Sequence, residues 1–478
     1  MKRARLASCA VLVGMTLVVA ADGPPNSAVA ATPGSVIWEQ RYDGPDNSFD
    51  QANDVVVAPD GSTVFVTGVV HHALTDDDYG TIAYDASTGV IRWSRRYGGA
   101  ASSSDRARAI AVSPDGSTVF VTGSAVSSTS RDHAIVAYDA SSGVTLWTTR
   151  YDGPGEGRDE ANALGVSPDG ATVFVTGYGD GSTTGRDYAT AAYDAATGRR
   201  LWTERYDGTG TANDVAEGLA VSPDGSEVFV TGRSRGPRSG TDYATVAYRA
   251  DTGAQRWVRR YDGPDDGDPY PNDDGASSLG VSPDGAWVYV TGYGSTSSGA
   301  HDFTTIAYDA VTGAKRWLRR YDGPGGYTDQ ANALAVSPDG SSVFVTGYDY
   351  VNATGYDYAT VAYDAATGAR RWVRRYVGPA IANDEANDIG VSPGGSTVIV
   401  TGTSYRSEIA NDYLTLAYDA TTGARLWTRR YNDGRASDDS VATALAVSAS
   451  AVFVTGRSRD PSSGVYVTDY ATVAYALT

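Results

Sequence analysis

Hydrophobic and polar residues alternate with a period of two along short runs of this chain, and the runs return in a fixed order. Residues 331–376 show the pattern. A small alternating run, Ala331 to Val336, leads into the turn Ser337-Pro338-Asp339-Gly340. A β-branched and aromatic run follows from Ser342 to Thr346. After a polar stretch come a third run, Asp357 to Tyr363, the turn Asp364-Ala365-Ala366-Thr367-Gly368, and a last run from Arg370 to Tyr376. Successive side chains of a strand point to opposite faces, so each run predicts a β-strand, and none has the 3.6-residue spacing of a helix. Pro338 presets φ for a type I turn, and Gly340 takes the left-handed position that closes a hairpin. The unit is therefore four antiparallel strands.

That unit recurs eight times. Val-Thr-Gly begins at Val66, Val121, Val175, Val230, Val290, Val345, Val400 and Val454, and a tryptophan falls at Trp38, Trp93, Trp147, Trp202, Trp257, Trp317, Trp372 and Trp427. The tryptophan step is 54 or 55 residues, except for 60 between Trp257 and Trp317. Four antiparallel strands at this period predict a propeller blade. The expected fold is all-β: a single eight-bladed β-propeller over residues 36–478, preceded by a short segment at 31–35. The ends support a ring. Val36 to Tyr42 reads as a fourth strand without its three predecessors, and Asp469 to Tyr475 as a third strand without its fourth. The first would complete the last blade. A linear solenoid would need polar capping repeats, which neither end resembles.

Composition narrows the setting. The 478 residues carry 57 Asp and Glu against 38 Lys and Arg, a formal charge of −19, which argues against nucleic acid or anionic lipid as partner. With 41% hydrophobic residues the chain has ample material for a core. Lys2, Arg3 and Arg5 precede an apolar run from Leu6 to Ala21 and a small-residue site at Ala28-Val29-Ala30. This order predicts a secretory signal peptide over residues 1–30, and hence a secreted, extracellular protein with no membrane insertion. The only cysteine is Cys9, so cleavage near Ala30 leaves no thiol for disulfides, catalysis or metal. A monomer is expected.

The stretch Ala362-Tyr363-Asp364-Ala365-Ala366-Thr367-Gly368-Ala369-Arg370-Arg371-Trp372 resembles the tryptophan-docking motif, Ala-x-Asp-x-x-x-Gly-x-x-x-Trp, of the eight-bladed quinoprotein (pyrroloquinoline quinone, PQQ) alcohol dehydrogenases. It recurs at 83–93, 137–147, 192–202, 307–317 and 417–427, whereas the unit at 247–257 has Arg249 in place of Asp. The Ser-Pro-Asp-Gly and Asp-Tyr-Ala-Thr-Val-Ala-Tyr-Asp-Ala phrases resemble the β-propeller repeats of secreted bacterial proteins. The resemblance implies that the tryptophans pack between neighbouring blades. It belongs to the scaffold, not to the chemistry. In those dehydrogenases the quinone lies against a disulfide ring of adjacent cysteines with a calcium ion and a catalytic Asp. This chain offers no residue matching a cofactor ligand, so no cofactor is expected.

Two aspartate series recur. One precedes the first strand (Asp50, Asp105, Asp159, Asp214, Asp274, Asp329, Asp384), and the other opens the third (Asp78, Asp132, Asp187, Asp242, Asp302, Asp357, Asp412, Asp469). Repetition in every blade suits backbone hydrogen bonding better than one ion site. The paired arginines of the fourth strand, such as Arg259-Arg260 and Arg374-Arg375, read as charges guarding an exposed edge.

Specificity is expected on the face with the two long variable loops of each unit. Candidates there are Tyr348, Tyr350, Tyr356, Tyr293 and Tyr270, with Arg233 and Arg235. Asp265, Asp266, Asp268 and Asp273 of the one long insertion supply oxygen ligands that suit calcium without the EF-hand spacing. His71-His72 beside Asp76-Asp77-Asp78 reads as a solvated loop. No nucleophile elbow, HExxH or phosphate loop is present. The leading expectation is a non-catalytic binding or scaffold module for an extracellular protein or glycan. The alternative is a propeller enzyme, a quinone-type oxidoreductase or a carbohydrate-active hydrolase or lyase.

Overall fold

The computed structural model describes residues 31–477, apart from residue 47 and segments 73–75, 100–103, 128–129, 156, 182, 210–211, 237–239, 264–272, 297–298, 408–409, 433–438 and 460–466. The described residues form eight four-stranded antiparallel sheets. Blades 1 to 7 span residues 51–97, 106–151, 159–206, 214–261, 275–321, 330–376 and 384–431, and blade 8 combines 441–476 with Val36–Tyr42. Within blades 1 to 7 the strands lie in chain order from the axis outward, and in blade 8 Val36–Tyr42 takes the outermost place. The innermost strands of successive blades touch one another around the ring, including those of blades 8 and 1. The closure expected from the sequence is present: Trp38 to Tyr42 pairs antiparallel with Ala474 to Tyr470.

The second and third strands are buried on both faces, because each blade stacks on two neighbours. Val64, Val66, Ile82 and Tyr84 of blade 1 pack with Trp38 and Phe453 of blade 8. The strands run further than the sequence pattern suggested. In blade 6 they cover Ser342–Val351 and Gly355–Asp364, so Tyr348, Tyr350 and Tyr356 sit on paired strands and not in a loop. Hydrogen bonding of two facing strands persists past the point where apolar alternation stops.

Each of the eight recurring tryptophans leaves an outermost strand and lies on a turn glycine of the next blade. Trp93 donates its indole N–H to Ala140 O at 2.9 Å, and a Cβ added to Gly143 would stand 2.6 Å from the ring. Gly143 has φ +68°, so only glycine meets both demands. The same contact joins Trp38 to Gly89, Trp257 to Gly313, Trp317 to Gly368 and Trp372 to Gly423. At the closing seam it joins Trp427 to Gly34.

The arginine pairs do not project as edge charges; they act inward. The first of each pair reaches the turn of the next blade. Arg95 donates to Gly143 O and Ser142 O at 2.7 Å, and Arg259, Arg319, Arg374 and Arg429 repeat the staple. Thr149 and Glu204 replace it in blades 2 and 3. The second arginine pairs with the third-strand aspartate of its own blade, as in Arg205–Asp187 at 2.7 Å and Arg375–Asp357 at 2.8 Å. That series therefore neutralises guanidinium groups. The first series caps backbone: Asp329 accepts from Gly323 N at 2.5 Å and Tyr350 N at 3.0 Å. Asp187, Asp207 and Asp214 converge within 4.8 Å, and Arg205 pairs with Asp187 there.

Candidate functional site

Every innermost strand carries a β-bulge after an alanine that recurs in all eight blades, for example between Ala52 and Asp54 and between Ala331 and Ala333. A bulge redirects the extra side chain out of the ladder. Here the extra residue reaches the neighbouring blade: Asn53 donates to Ala107 O at 2.6 Å, Asn162 to Ala216 O at 2.8 Å, Asn332 to Ala386 O at 2.8 Å, Asn387 to Ala442 O at 2.7 Å, and Thr443 to Ala52 O at 2.9 Å. These bonds knit the inner strands into a polar ring around the axial channel. Arg108, Glu217 and Ser277 interrupt it.

One residue pair per blade lies at the start of the inner strand, where it faces the end of the second strand. Around the ring these pairs are Gln51–Val69, Arg106–Ser124, Glu160–Tyr178, Val215–Arg233, Gly275–Tyr293, Gln330–Tyr348, Glu385–Thr403 and Val441–Arg457. No pair occurs twice. The scaffold positions repeat, whereas this rim differs in every blade.

The rim opens into a cavity of about 420 Å³ lined by Gln51, Asn53, Asp77, Arg106, Arg108 and Glu217 among others. Arg108 and Arg131 meet Glu160 at 2.8 and 3.5 Å, and Arg106 meets Asp77 at 3.0 Å. Burial alone would raise the Glu160 carboxyl, but Arg108, Tyr178 and Arg131 together hold it below the usual range. Asp77 is likewise held low against its partial burial, by Ser104, His71 and Arg106. Arg457 donates to Gln51 Oε1 at 3.0 Å across the seam of blades 8 and 1. These are fixed donors and acceptors with their charges paired, an arrangement suited to recognising a polar ligand.

Two carboxylates lie deeper along the inner strands. Asp54 accepts from Val55 N and from Ile110 N of the next blade, and Asp388 from Ile389 N and Leu445 N, at 2.8 to 2.9 Å. Each retains partial solvent access yet has protein on all sides, and burial raises Asp54 to about 7 and Asp388 to about 6. Sequence reading passed over both. The available signal was their departure from the alanine that blades 2, 3, 6 and 8 carry at that place (Ala109, Ala163, Ala333 and Ala444).

The sequence candidates divide. Tyr293, Tyr348 and Arg233 belong to the rim. Tyr350 and Tyr356 stand further out in blade 6, where Tyr356 contacts Tyr348 and Tyr350 at 4.8 and 5.1 Å between ring centres. Arg235 is exposed, and its backbone N–H bonds to Asp214. His71 lies on a strand with Asp77 3.2 Å away, not in a loop. Of the calcium candidates, Asp273 accepts from Thr241 N at 3.0 Å, a bond between the hairpins of neighbouring blades. Asp265, Asp266 and Asp268, with Tyr270, lie outside the described residues.

Eight blades of this pattern define a PQQ-like β-propeller. The family model described as "Outer membrane protein assembly factor BamB" matches residues 1–125, 107–336 and 186–459, and the chain belongs to that family. No curated protein matches the sequence. Among solved structures, the chain is similar to Sqt1 of Chaetomium thermophilum, with TM-score 0.59 and 14% identity over 93% of this chain and 98% of that one. Sqt1 has also been solved bound to the N-terminus of the ribosomal protein L10. A europium-containing methanol dehydrogenase gives TM-score 0.56 at 15% identity, over 93% of each chain. The quinohemoprotein alcohol dehydrogenase of Comamonas testosteroni gives 0.55 at 13%, over 93% of this chain and 76% of that one. At these identities the likeness is one of fold.

Proposed function

We propose that this protein is a secreted, non-catalytic binding or scaffold module that recognises an extracellular protein or glycan through the mouth of its axial channel. The observation that carries the reading is the rim, where no two blades present the same residue pair although the surrounding scaffold is nearly invariant. A surface that varies blade by blade on a repeated frame is where a partner is distinguished. A solved Sqt1 propeller bound to a polypeptide segment supports protein recognition by this architecture.

The test compares the two faces of one molecule. Immobilised protein is exposed to the extracellular protein fraction of the source cells and to a glycan array. The variants Arg108→Ala with Glu160→Ala change the rim, while Asp339→Ala changes the tight-turn face. Removing a charged hydrogen-bonding pair from an interface weakens binding roughly tenfold or more. Loss of a ligand by the rim variant alone supports the proposal. Equal retention by both variants, or loss only from the tight-turn variant, refutes it.

A further inference from the structure

On the rim of blades 4 to 6 two bulge positions depart from the repeat, and a glycine stands beside them at a strand start. At the bulge, Glu217 and Ser277 stand where blades 1, 3, 6 and 7 carry asparagine. At the strand start, Gly275 stands where the adjacent blade 6 has Gln330. The glycine has a structural reason: a Cβ there would lie 2.7 Å from the Tyr293 ring. Loss of a side chain at 275 lets Tyr293 settle across the inner strand, with His301 behind it at 4.9 Å between ring centres. Burial lowers His301, so the ring is backed by a neutral imidazole at neutral pH.

The result is an open pocket of about 330 Å³, lined by Glu217, Arg233, Ser277, Tyr293, Gln330 and Asn332. Its polar groups are held in a chain. Tyr348 donates to Gln330 Oε1 at 3.0 Å, Gln330 Nε2 to Asn332 Oδ1 at 3.2 Å, and Asn332 Nδ2 to Ala386 O at 2.8 Å. Arg233 meets Glu217 at 2.7 Å. Charge is balanced inside the pocket, which disfavours a net anion or cation. The lining offers planar donors and acceptors side by side and one aromatic wall, but no deep apolar slot for a hydrophobic side chain. Its volume lies at the small end of ligand sites. A saturated ring bearing several hydroxyls matches every one of these features, since each hydroxyl both donates and accepts and the C–H face packs on an aromatic ring.

We infer that this pocket is a subsite for one neutral sugar residue of a glycan. The inference rests on the binding reading above and names its ligand class. The test uses saturation-transfer NMR with a panel of neutral methyl glycosides, alongside methyl glucuronide as an anionic probe, acetyl-glutamine methylamide as a neutral amide probe, and lysine methyl ester as a cationic one. Two variants are compared with the natural protein. Glu217→Asn installs the residue that four other blades carry at the bulge, so it preserves the fold. Gly275→Gln restores the blade 6 residue and displaces Tyr293.

The expected result is transfer to at least one neutral glycoside, weakened at least about tenfold by either variant, since each removes a hydrogen bond to a charged group or the aromatic wall. Silence from every neutral glycoside overturns the inference. So does binding that both variants leave unchanged, or a preference for the charged probes or the amide. If the glycosides are silent while the Arg108 and Glu160 variant still loses a protein ligand, only the sugar subsite falls.

Discussion

Replacing Trp93 by alanine tests the packing between blades, and Trp147 provides the comparison within the same molecule. The Trp93 indole is 6% exposed, donates to Ala140 O, and is covered by the Arg95 guanidinium at 5.9 Å from the ring centre. Emptying such a site costs about 3–5 kcal/mol for the lost ring, and about 1 kcal/mol more for the carbonyl left without its donor. Trp147 makes the equivalent bond to Ala195 O at 2.9 Å, but its blade carries Thr149 instead of the arginine, and its ring is only partly buried. A partly solvated ring loses less, so Trp147→Ala should cost about 2–3 kcal/mol. Urea unfolding, followed by both far-UV circular dichroism and tryptophan fluorescence, gives each free energy when the two transitions coincide. Equal costs, or a larger cost at Trp147, would refute the idea that the arginine adds to the glycine in sealing the seams that carry it.

The same staple predicts a gain: Thr149→Arg should raise stability by about 0.5–1.5 kcal/mol by reaching the turn that holds Gly198, read as a higher urea midpoint. Removal of residues 31–42 should lower that midpoint more than any single indole substitution. It strips the partner from Tyr470 to Ala474 and the Gly34 cover from Trp427. Stability should also depend on pH in two opposite ways. Asp50, Asp159, Asp274 and Asp302 are raised to about 6 and Asp329 to about 7, in each case chiefly by burial. A raised carboxyl favours the folded state fully below its unfolded value near 4, and that contribution fades as pH climbs through 6 to 7. Asp115 and Asp364 are lowered to about 2, the first by turn hydroxyls and backbone and the second by Arg371 and Thr367. Their contribution is present above about 4 and fades as pH falls toward 2. Thermal midpoints should therefore peak between about pH 4 and 5 and decline on both sides, and a monotonic rise to pH 8 would contradict the burial of the first aspartate series.

Much of the architecture was legible because its causes are local and repeated. Period-two alternation from Ala331 to Val336 and from Asp357 to Tyr363 specifies strands, and the Gly340 and Gly368 turns fix where they reverse. The orphan fourth strand at Val36 to Tyr42 announced the closure of blade 8. The site was less legible. Tyr293, Tyr348 and Arg233 were singled out because they break the repeat, but nothing local showed that they meet at one rim while Tyr350 and Tyr356 do not. Asp54 and Asp388 were missed, since an isolated Asp within a small-residue strand looks like any solvent-facing position.

The chain alone thus determined the strand order, the number of blades and the way the ring closes, because each depends on neighbours close in sequence or on simple counting. The fully assembled ring decided the rest. Arg95 became a staple and not an edge charge only when the carbonyls of residues 142 and 143 arrived beside it. Glu217, Ser277 and Gln330 became a pocket only when three inner strands converged on the axis. Hydrogen bonds and burial act over a few ångströms, so which groups share a site is settled by the distances the closed ring imposes and not by their spacing along the chain.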